Sequence, residues 1–304
     1  MSVKFYSFSV GNGDMFLIVH NNDTLSIIDC NIGDEDETKI TNIISHYKKT
    51  HKLIRFISTH PDDDHIKGID KLYKNGFVWE RNFYYVQNDI GKDKQNTDYK
   101  RYIELKNSTE SVEIFAGLKR AFLNKDGESN GTEYKSSSIE FLWPELDNPK
   151  FKKALENANK DIDINNICPI IRYEDPLTKY SIIWFGDLSN DFMESISSSL
   201  NLPKTNIAVA PHHGRTSGKL PNKWLKELNP DLIIIGEAES KDLEYYENYR
   251  HVCQNSSKGI EIVIDLNGLH FYCENKDYKL NKALENKKYE NEQFDYEYIG
   301  SLKP

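Results

Sequence analysis

Residues 53–59 form a short strand-like run dominated by Leu, Ile and Phe, and it empties directly into His60-Pro61-Asp62-Asp63-Asp64-His65. Neighbouring carboxylates repel, so a loop crowded with aspartate has no ordinary reason to close a core strand. A divalent cation supplies one, because it neutralises the carboxylates and draws them inward. His60 and Asp62 are two apart and in extended chain can face one cation. Asp64 and His65 open a helix expected over 65–75 and can face a second. The plainer alternative is an aspartate-rich turn whose carboxylates cap a helix. Two histidines at these spacings weigh against it.

The same grammar recurs along the chain. Residues 3–8, 15–20 and 25–28 are short, apolar and rich in aromatic or β-branched types, with Gly11-Asn12-Gly13-Asp14 as a tight turn between the first two. Residues 37–48 have helical spacing, with Ile40, Ile43 and Ile44 on one face. Further strands are expected over 138–143, 205–210, 232–236, 261–265 and 269–272, with 168–173 and 180–185 as a hairpin pair. Helices are expected over 192–200 and 221–228, and a surface helix or loop over 148–159. The stretch 87–136 is polar and Lys/Asn-rich, with one amphipathic helix near 112–123, and reads as an insertion into a domain spanning 1–280. The segment 281–304 reads as a charged C-terminal extension. Near-continuous apolar strands need cover on both faces, which two mixed β-sheets flanked by helices would provide.

The 304 residues carry a net charge of −9, with 38% hydrophobic and 12% aromatic residues, enough to fill a core and too many for a disordered chain. No run approaches the roughly 18 apolar residues that cross a bilayer. The first residues turn polar too soon for a signal peptide. Cys30, Cys168, Cys253 and Cys273 are widely spaced with no C-x-x-C, which fits a reducing cytoplasm better than a disulfide framework or thiolate zinc site. The acidic balance argues against a general nucleic-acid coat protein.

Asp187 and His213 each follow an apolar strand, in Phe185-Gly186-Asp187 and Ala210-Pro211-His212-His213-Gly214. Parallel strands joined by helices bring their C-terminal ends to one edge, so these loops can converge on residues 60–65. Alone, Asp187 would read as a helix N-cap and the histidine pair as a polar turn. The set resembles the metallo-β-lactamase fold hydrolases, whose signature is a strand followed by Thr-His-x-His-x-Asp-His. Here Asp62 replaces the second histidine, as in the hydrolase domain of the competence protein ComEC and its free-standing relatives. Val10-Gly11-Asn12-Gly13-Asp14 resembles that group's Val-Gly-Gln-Gly-Asp turn. Ile27-Ile28-Asp29-Cys30-Asn31 resembles its Asp-x-Gly strand end, with Asn31 for Gly, and Asn165-Asn166 falls where the group has Asn. The likeness spans residues 3–273, apart from the insertion.

The resemblance implies an α/β fold, the αββα sandwich, and a dinuclear centre. His60 and Asp62 would hold one metal, with Asn166 or water as a weak further ligand. Asp64, His65 and His213 would hold the other, with Asp187 bridging and His212 orienting a ligand or substrate oxygen. Oxygen donors at the first position favour Mn²⁺ or Mg²⁺ over Zn²⁺, with Zn²⁺ the conventional alternative. Two such cations clamp an in-line displacement and activate water. Asp64 and Asp187 therefore carry catalysis, and His251, in Tyr249-Arg250-His251, is the candidate to protonate a leaving group. Arg215 and Ser217, just past the histidine pair, and Asp14 are candidates for contacting substrate or orienting water or a ligand. Lys67, Lys71 and Lys74 at helical spacing, and Phe83-Tyr84-Tyr85, offer phosphate attraction and stacking, or simply a solvated face and strand packing.

The expected function is a metal-dependent phosphodiesterase, a nuclease acting on DNA. The net charge of −9 leans toward a small-molecule hydrolase instead, acting on a cyclic nucleotide, lactone or thioester. A third reading is a non-catalytic adaptor docking a partner protein through the 87–136 insertion or the tail.

Overall fold

The computed structural model describes residues 2–91, 96–129, 131–237, 245–280, 282, 284–285 and 294–303. The expectations for 87–136 and for the tail from Asn281 therefore lie partly outside the described residues. The chain folds as mixed α/β. One nine-stranded sheet runs in the order Glu297–Leu302, Gly268–Cys273, Ile260–Asp265, Val3–Ser7, Phe16–Val19, Thr24–Ile28, Leu53–Ile57, Phe83–Tyr85, Val112–Glu113. A six-stranded sheet runs Ile139–Trp143, Ile170–Glu174, Ser181–Trp184, Ile207–Val209, Leu232–Ile235, His251–Cys253. Both are mixed. The strands from Thr24–Ile28 to Val112–Glu113 are parallel, as are those from Ser181–Trp184 to His251–Cys253.

The two sheets share a core. Phe5 and Phe16 of the larger sheet lie 5.4 and 6.2 Å from the Trp184 ring of the smaller, and Tyr84 lies 6.3 Å from Phe141. A second core lies on the other face of the nine-stranded sheet, where Ile40, Ile43 and Ile44 of helix Glu37–Lys48 pack with Leu25, Ile27 and Phe56. Thus Leu25, Ile27, Ile54 and Phe56 serve one core while Ile28 and Ile57 serve the other. Strands buried on both faces read as continuous apolar runs, as these do. Helices Pro149–Asn159, Asn190–Ile196 and Asn222–Leu228 contribute Phe151, Met193, Ile196, Trp224 and Leu228 to the core shared with the smaller sheet. No helix among the described residues is long and apolar enough to cross a membrane. All four cysteines are buried and free.

Two helix expectations are corrected. Over 112–123 there is no helix: Val112–Glu113 pairs with Tyr84 and Tyr85 as an edge strand, and turns follow. Val112 and Ile114 are buried while Glu113 is exposed, the alternation that the pairing to Tyr84 and Tyr85 imposes over the helical spacing. The helix of this stretch is instead Thr97–Lys106, capped by the Asn96 side chain. The single helix expected from His65 is broken into Asp63–Ile66 and Ile69–Lys74 by Gly68, which has φ +92°. An added Cβ there would lie 2.8 Å from Ile32 Cβ, so the backbone passes where only glycine fits. The Asp98 carboxylate, from helix Thr97–Lys106, accepts from the Gly68 and Asp70 amides at 2.9 and 3.0 Å and holds the break. In the described part of the tail, Glu297–Leu302 pairs with Gly268–Cys273 at the sheet edge.

Candidate metal centre

The loops that follow Leu53–Ile57, Ser181–Trp184 and Ile207–Val209 meet where the C-terminal ends of parallel strands from both sheets lie together. Gly186 makes this approach possible. Its φ is +53°, and a Cβ there would lie 2.8 Å from Cys168 Sγ and 3.1 Å from Thr59 Cβ. Asp187 leaves this turn with its amide donating to Cys168 Sγ at 3.3 Å. It caps no helix, because Ser189 caps Asn190–Ile196. Asp62 likewise makes no side-chain capping bond to Asp63–Ile66. The capping alternative therefore fails at both positions.

Each key imidazole is tied at one nitrogen and free at the other. His65 Nδ1 donates to Asp29 Oδ2 at 2.9 Å. Asp29 also accepts from the Thr59 amide at 2.7 Å and the Thr59 hydroxyl at 2.6 Å. With its proton committed, that hydroxyl accepts from His60 Nδ1 at 3.1 Å. His213 Nδ1 donates to Asp14 Oδ1 at 3.0 Å. The Nε2 atoms of His60, His65 and His213, together with Asp187 Oδ1, are buried with no hydrogen-bond partner. These free atoms converge. His65 Nε2 is 3.2 Å from Asp187 Oδ1, and His213 Nε2 is 3.5 Å from both Asp187 Oδ2 and Asp64 Oδ2. His60 Nε2 is 3.3 Å from Asp62 Oδ2, and His212 Nε2 is 3.6 Å from Asp187 Oδ2. Donors about 2.1 Å from one tetrahedral cation stand ~3.4 Å apart. The spacings fit that separation, and the mixed imidazole and carboxylate donors suit Zn²⁺ or Mn²⁺. Asp14, His65, Asp187 and His213 form a buried group whose potential ligand atoms lie within 4.8 Å of one another.

Electrostatics follow from this crowding. Burial alone would lower the His65 and His213 pKa values. Asp187 reverses this for His65, with help from Asp29, and Asp14 and Asp187 push His213 up to about 10. Burial would raise Asp187, yet the charges of His65 and His213 hold it well below the carboxylate range. In Asp64 burial is likewise overcome by the neighbouring His213 and His65 rings, and its pKa is lowered. His212 is the exception. Its burial outweighs Asp187, lowering its pKa and keeping its ring neutral at pH 7.

Not every expected residue arrives at this cluster. Asn166 does not offer a ligand: its carbonyl accepts from the Ser189 amide at 3.1 Å and hydroxyl at 2.8 Å, and its amide donates to Asp163. With both lone pairs engaged, none remains for a cation. His251 sits elsewhere. It pairs with Ile233 at the entry of its strand, whereas Gly236, past the exit of the neighbouring strand, is the residue against His213. Three residues of strand span about 10 Å. Ser217 is exposed and its hydroxyl lies 2.9 Å from His212 Nδ1. Arg215 is half-buried, 3.2 Å from His212 Nε2 and bonded to Asn12 Oδ1, which puts it at the rim. Asp14 meets the His213 ring rather than open solvent. Lys71 pairs with Asp34 and Glu37, and Lys74 with Asp70, as a solvated helix face would.

Two supporting residues were missing from the expected site. Asp29 ends an apolar strand, the same signal that marked Asp187, but its role needs the Thr59 contact to be seen. Glu237 accepts from the Ser9 hydroxyl at 2.6 Å and the Gly11 amide at 3.1 Å, and Asn31 donates to the Val10 carbonyl at 2.9 Å. Together they hold the turn that carries Asp14. No sequence pattern marked Glu237.

No protein-family model and no curated protein matches the sequence. Among solved structures, the chain is similar to a proposed Zn-dependent hydrolase of the metallo-β-lactamase superfamily from Thermotoga maritima. That match has 9% identity, covers 78% of this chain and 77% of the other, and has a TM-score of 0.32.

Proposed function

We propose that the protein is a metal-dependent hydrolase of the αββα metallo-β-lactamase type that cleaves phosphodiesters, DNA foremost. The observation that carries this reading is the set of buried, partnerless atoms facing one another: Nε2 of His60, His65 and His213, and Oδ1 of Asp187. At 3.2–3.5 Å these atoms meet as charges without good hydrogen-bond geometry, and buried imidazole and carboxylate atoms so spaced match the ligands of a divalent cation. Asp64, His65, His213 and Asp187 would hold one ion. His60, Asp62 and Asp187 would hold a second, with His212, whose Nε2 accepts from Arg215, beside it. Bound there, divalent cations supply Lewis acidity and an acidified water.

The chain's own residues supply the rest. Asp14 holds His213 and Asp29 holds His65 with the Nε2 lone pair inward, and Thr59 relays Asp29 to His60. Arg215 stands at the rim, where a phosphate oxygen would be met by a planar fork of donors. The oxygen-rich first position favours Mn²⁺ there. The net charge of −9 supports a second reading, a small-molecule hydrolase of a cyclic nucleotide, lactone or thioester. Metal analysis paired with a substrate panel tests both. Single- and double-stranded DNA should be cut with Mn²⁺ and spared by Asp187→Asn, with the fold checked by circular dichroism. Turnover of an ester or cyclic nucleotide with DNA untouched would move the assignment to the second reading, and hydrolysis unaffected by Asp187→Asn would refute both.

A further inference from the structure

The opposite end of the two sheets holds a second feature. Between them lies a cleft of about 1160 Å³, bordered by Thr24 and Leu53, the first residues of two parallel strands, by Asn82 just before a third, and by Tyr173 and Leu177 across the gap. None of the metal-centre residues lines it. Its volume slightly exceeds that of the usual small-molecule pocket, about 300–1,000 Å³.

Arg55 lines this cleft from within a core strand and is 1% exposed. Its guanidinium has only neutral partners: Nη1 donates to Ser26 Oγ at 2.8 Å, Nη2 to the Phe122 carbonyl at 3.0 Å, and the group lies 5.5 Å from the Tyr84 ring centroid. Its Nε has no acceptor. No described carboxylate pairs with it. A guanidinium stays charged at any physiological pH, and a buried charge ordinarily requires a counter-ion. A second guanidinium, that of half-buried Arg120, lies 5.7 Å from the same Tyr84 ring. Among the described residues no carboxylate pairs with either guanidinium, so two like charges share one ring. Buried His20, also in the lining, has an unpartnered Nδ1.

The acidic residues of the lining are engaged elsewhere or stand in solvent. Asp175 accepts from Thr178 and Leu177 in its own turn and from the Tyr173 hydroxyl. Asp126 accepts from the Ser136 amide, Glu133 is exposed beside Lys135, and Asp23 is exposed. The rest of the lining is mixed: Asn21, Asn22, Asn82 and Ser136 are polar and Lys52 and Arg81 add positive charge, while Phe122 stacks on Tyr134 with centroids 4.2 Å apart and Leu177 stands 72% exposed at the lip.

We infer that this cleft is a binding site for a small organic phosphate, with the doubly charged head between Arg55 and Arg120 and an apolar or aromatic body against Tyr84, Tyr134 and Leu177. A phosphate monoester brings about two negative charges, matching two guanidiniums, where a carboxylate brings one. The site is independent of the metal centre and of the hydrolytic reading.

Calorimetric titration of the full chain with phenylphosphonate, which has no phosphate ester bond to hydrolyse, tests this. Saturable binding at one site is expected, weaker by about tenfold or more in Arg120→Gln, whose half-exposed position spares the fold. The same affinity is expected in Asp187→Asn, because that residue is at the other end of the sheets. Inorganic phosphate should bind at the same site more weakly, lacking the body. An absence of saturation up to about 10 mM would overturn the inference, as would wild-type affinity in Arg120→Gln. Binding lost in Asp187→Asn and kept in Arg120→Gln would also overturn it, by assigning the anion to the metal centre.

Discussion

A histidine is a ligand only if the correct nitrogen carries the lone pair, and here three carboxylate or hydroxyl contacts decide that. Asp29 is the most connected: one carboxylate receives the Thr59 amide, the Thr59 hydroxyl and His65 Nδ1. Asp29→Asn places an amide NH₂ where Oδ2 now stands, facing two donors. His65 then relieves the clash by accepting at Nδ1, which moves its proton to Nε2 and denies the cation its lone pair. Metal affinity should fall by about 10–100-fold with secondary structure unchanged, read by competition against a chelator. Unchanged affinity would show that Asp29 serves only the fold. His251→Ala is the contrasting test. The ring sits at the far end of its strand against the Tyr246 and Tyr249 carbonyls. Hydrolytic rate should stay within about twofold of wild type, and a loss of kcat of the size that general-acid removal gives, about 100-fold, would return His251 to the mechanism.

At the scale of elements, the break at Gly68 is where local sequence and tertiary demand meet. The Ile32 amide donates to the Lys67 carbonyl at 2.9 Å, and Gly68 then turns left-handed beneath Ile32. Gly68→Ala adds a left-handed penalty of about 1–2 kcal/mol plus the clash with Ile32, so denaturant titration should show a loss of ~2 kcal/mol or more. A neutral result would mean that Ile32 yields freely. This position also shows why some elements were legible and others were not. Helix Glu37–Lys48 follows directly from Ile40, Ile43 and Ile44, and the strands that end at the centre follow from apolar runs stopping at His60, Asp187 and His213. Gly68 fell inside a helical pattern because nothing local reveals Ile32 above it. Val112–Glu113 is too short for periodicity to identify, and it is a strand only because Tyr84 and Tyr85 offer an edge. Asn166 and His251 were placed by resemblance rather than by neighbours: the hydrogen bonds of Asn166 took it out of the ligand set, and the strand register set His251, the candidate leaving-group acid, about 10 Å along from the residue against His213.

Across the whole molecule, the metal centre joins the two sheets. His60, Asp62, Asp64 and His65 belong to the larger sheet's loop, and Asp187, His212 and His213 to the smaller sheet's loops. A cation bound to both therefore acts as a cross-link in the folded state alone, and stability should rise with the logarithm of free metal. Protons occupy this place when metal does not. His213, raised to about 10 from the ordinary 6.5, and His65, also raised, are charged in the metal-free protein at neutral pH. A histidine with a raised folded pKa contributes stability in full below its unfolded value, and that contribution is lost as pH rises through the folded one. The metal-free chain should therefore weaken from about pH 6.5 toward 10. Asp187 and Asp64, both lowered, act in the opposite sense: their contribution is present above the ordinary carboxylate value and fades as acid protonates them. Metal must displace the histidine protons, so binding at pH 8 releases protons and apparent affinity climbs with pH up to about 10. Titration with Mn²⁺ or Zn²⁺ in buffers of different ionisation enthalpy should give heats that scale with the buffer, alongside a metal-dependent rise in Tm that Asp187→Asn removes. Buffer-independent heats would mean that the imidazoles are already neutral and that the ion pairs with Asp187 do not form before metal arrives.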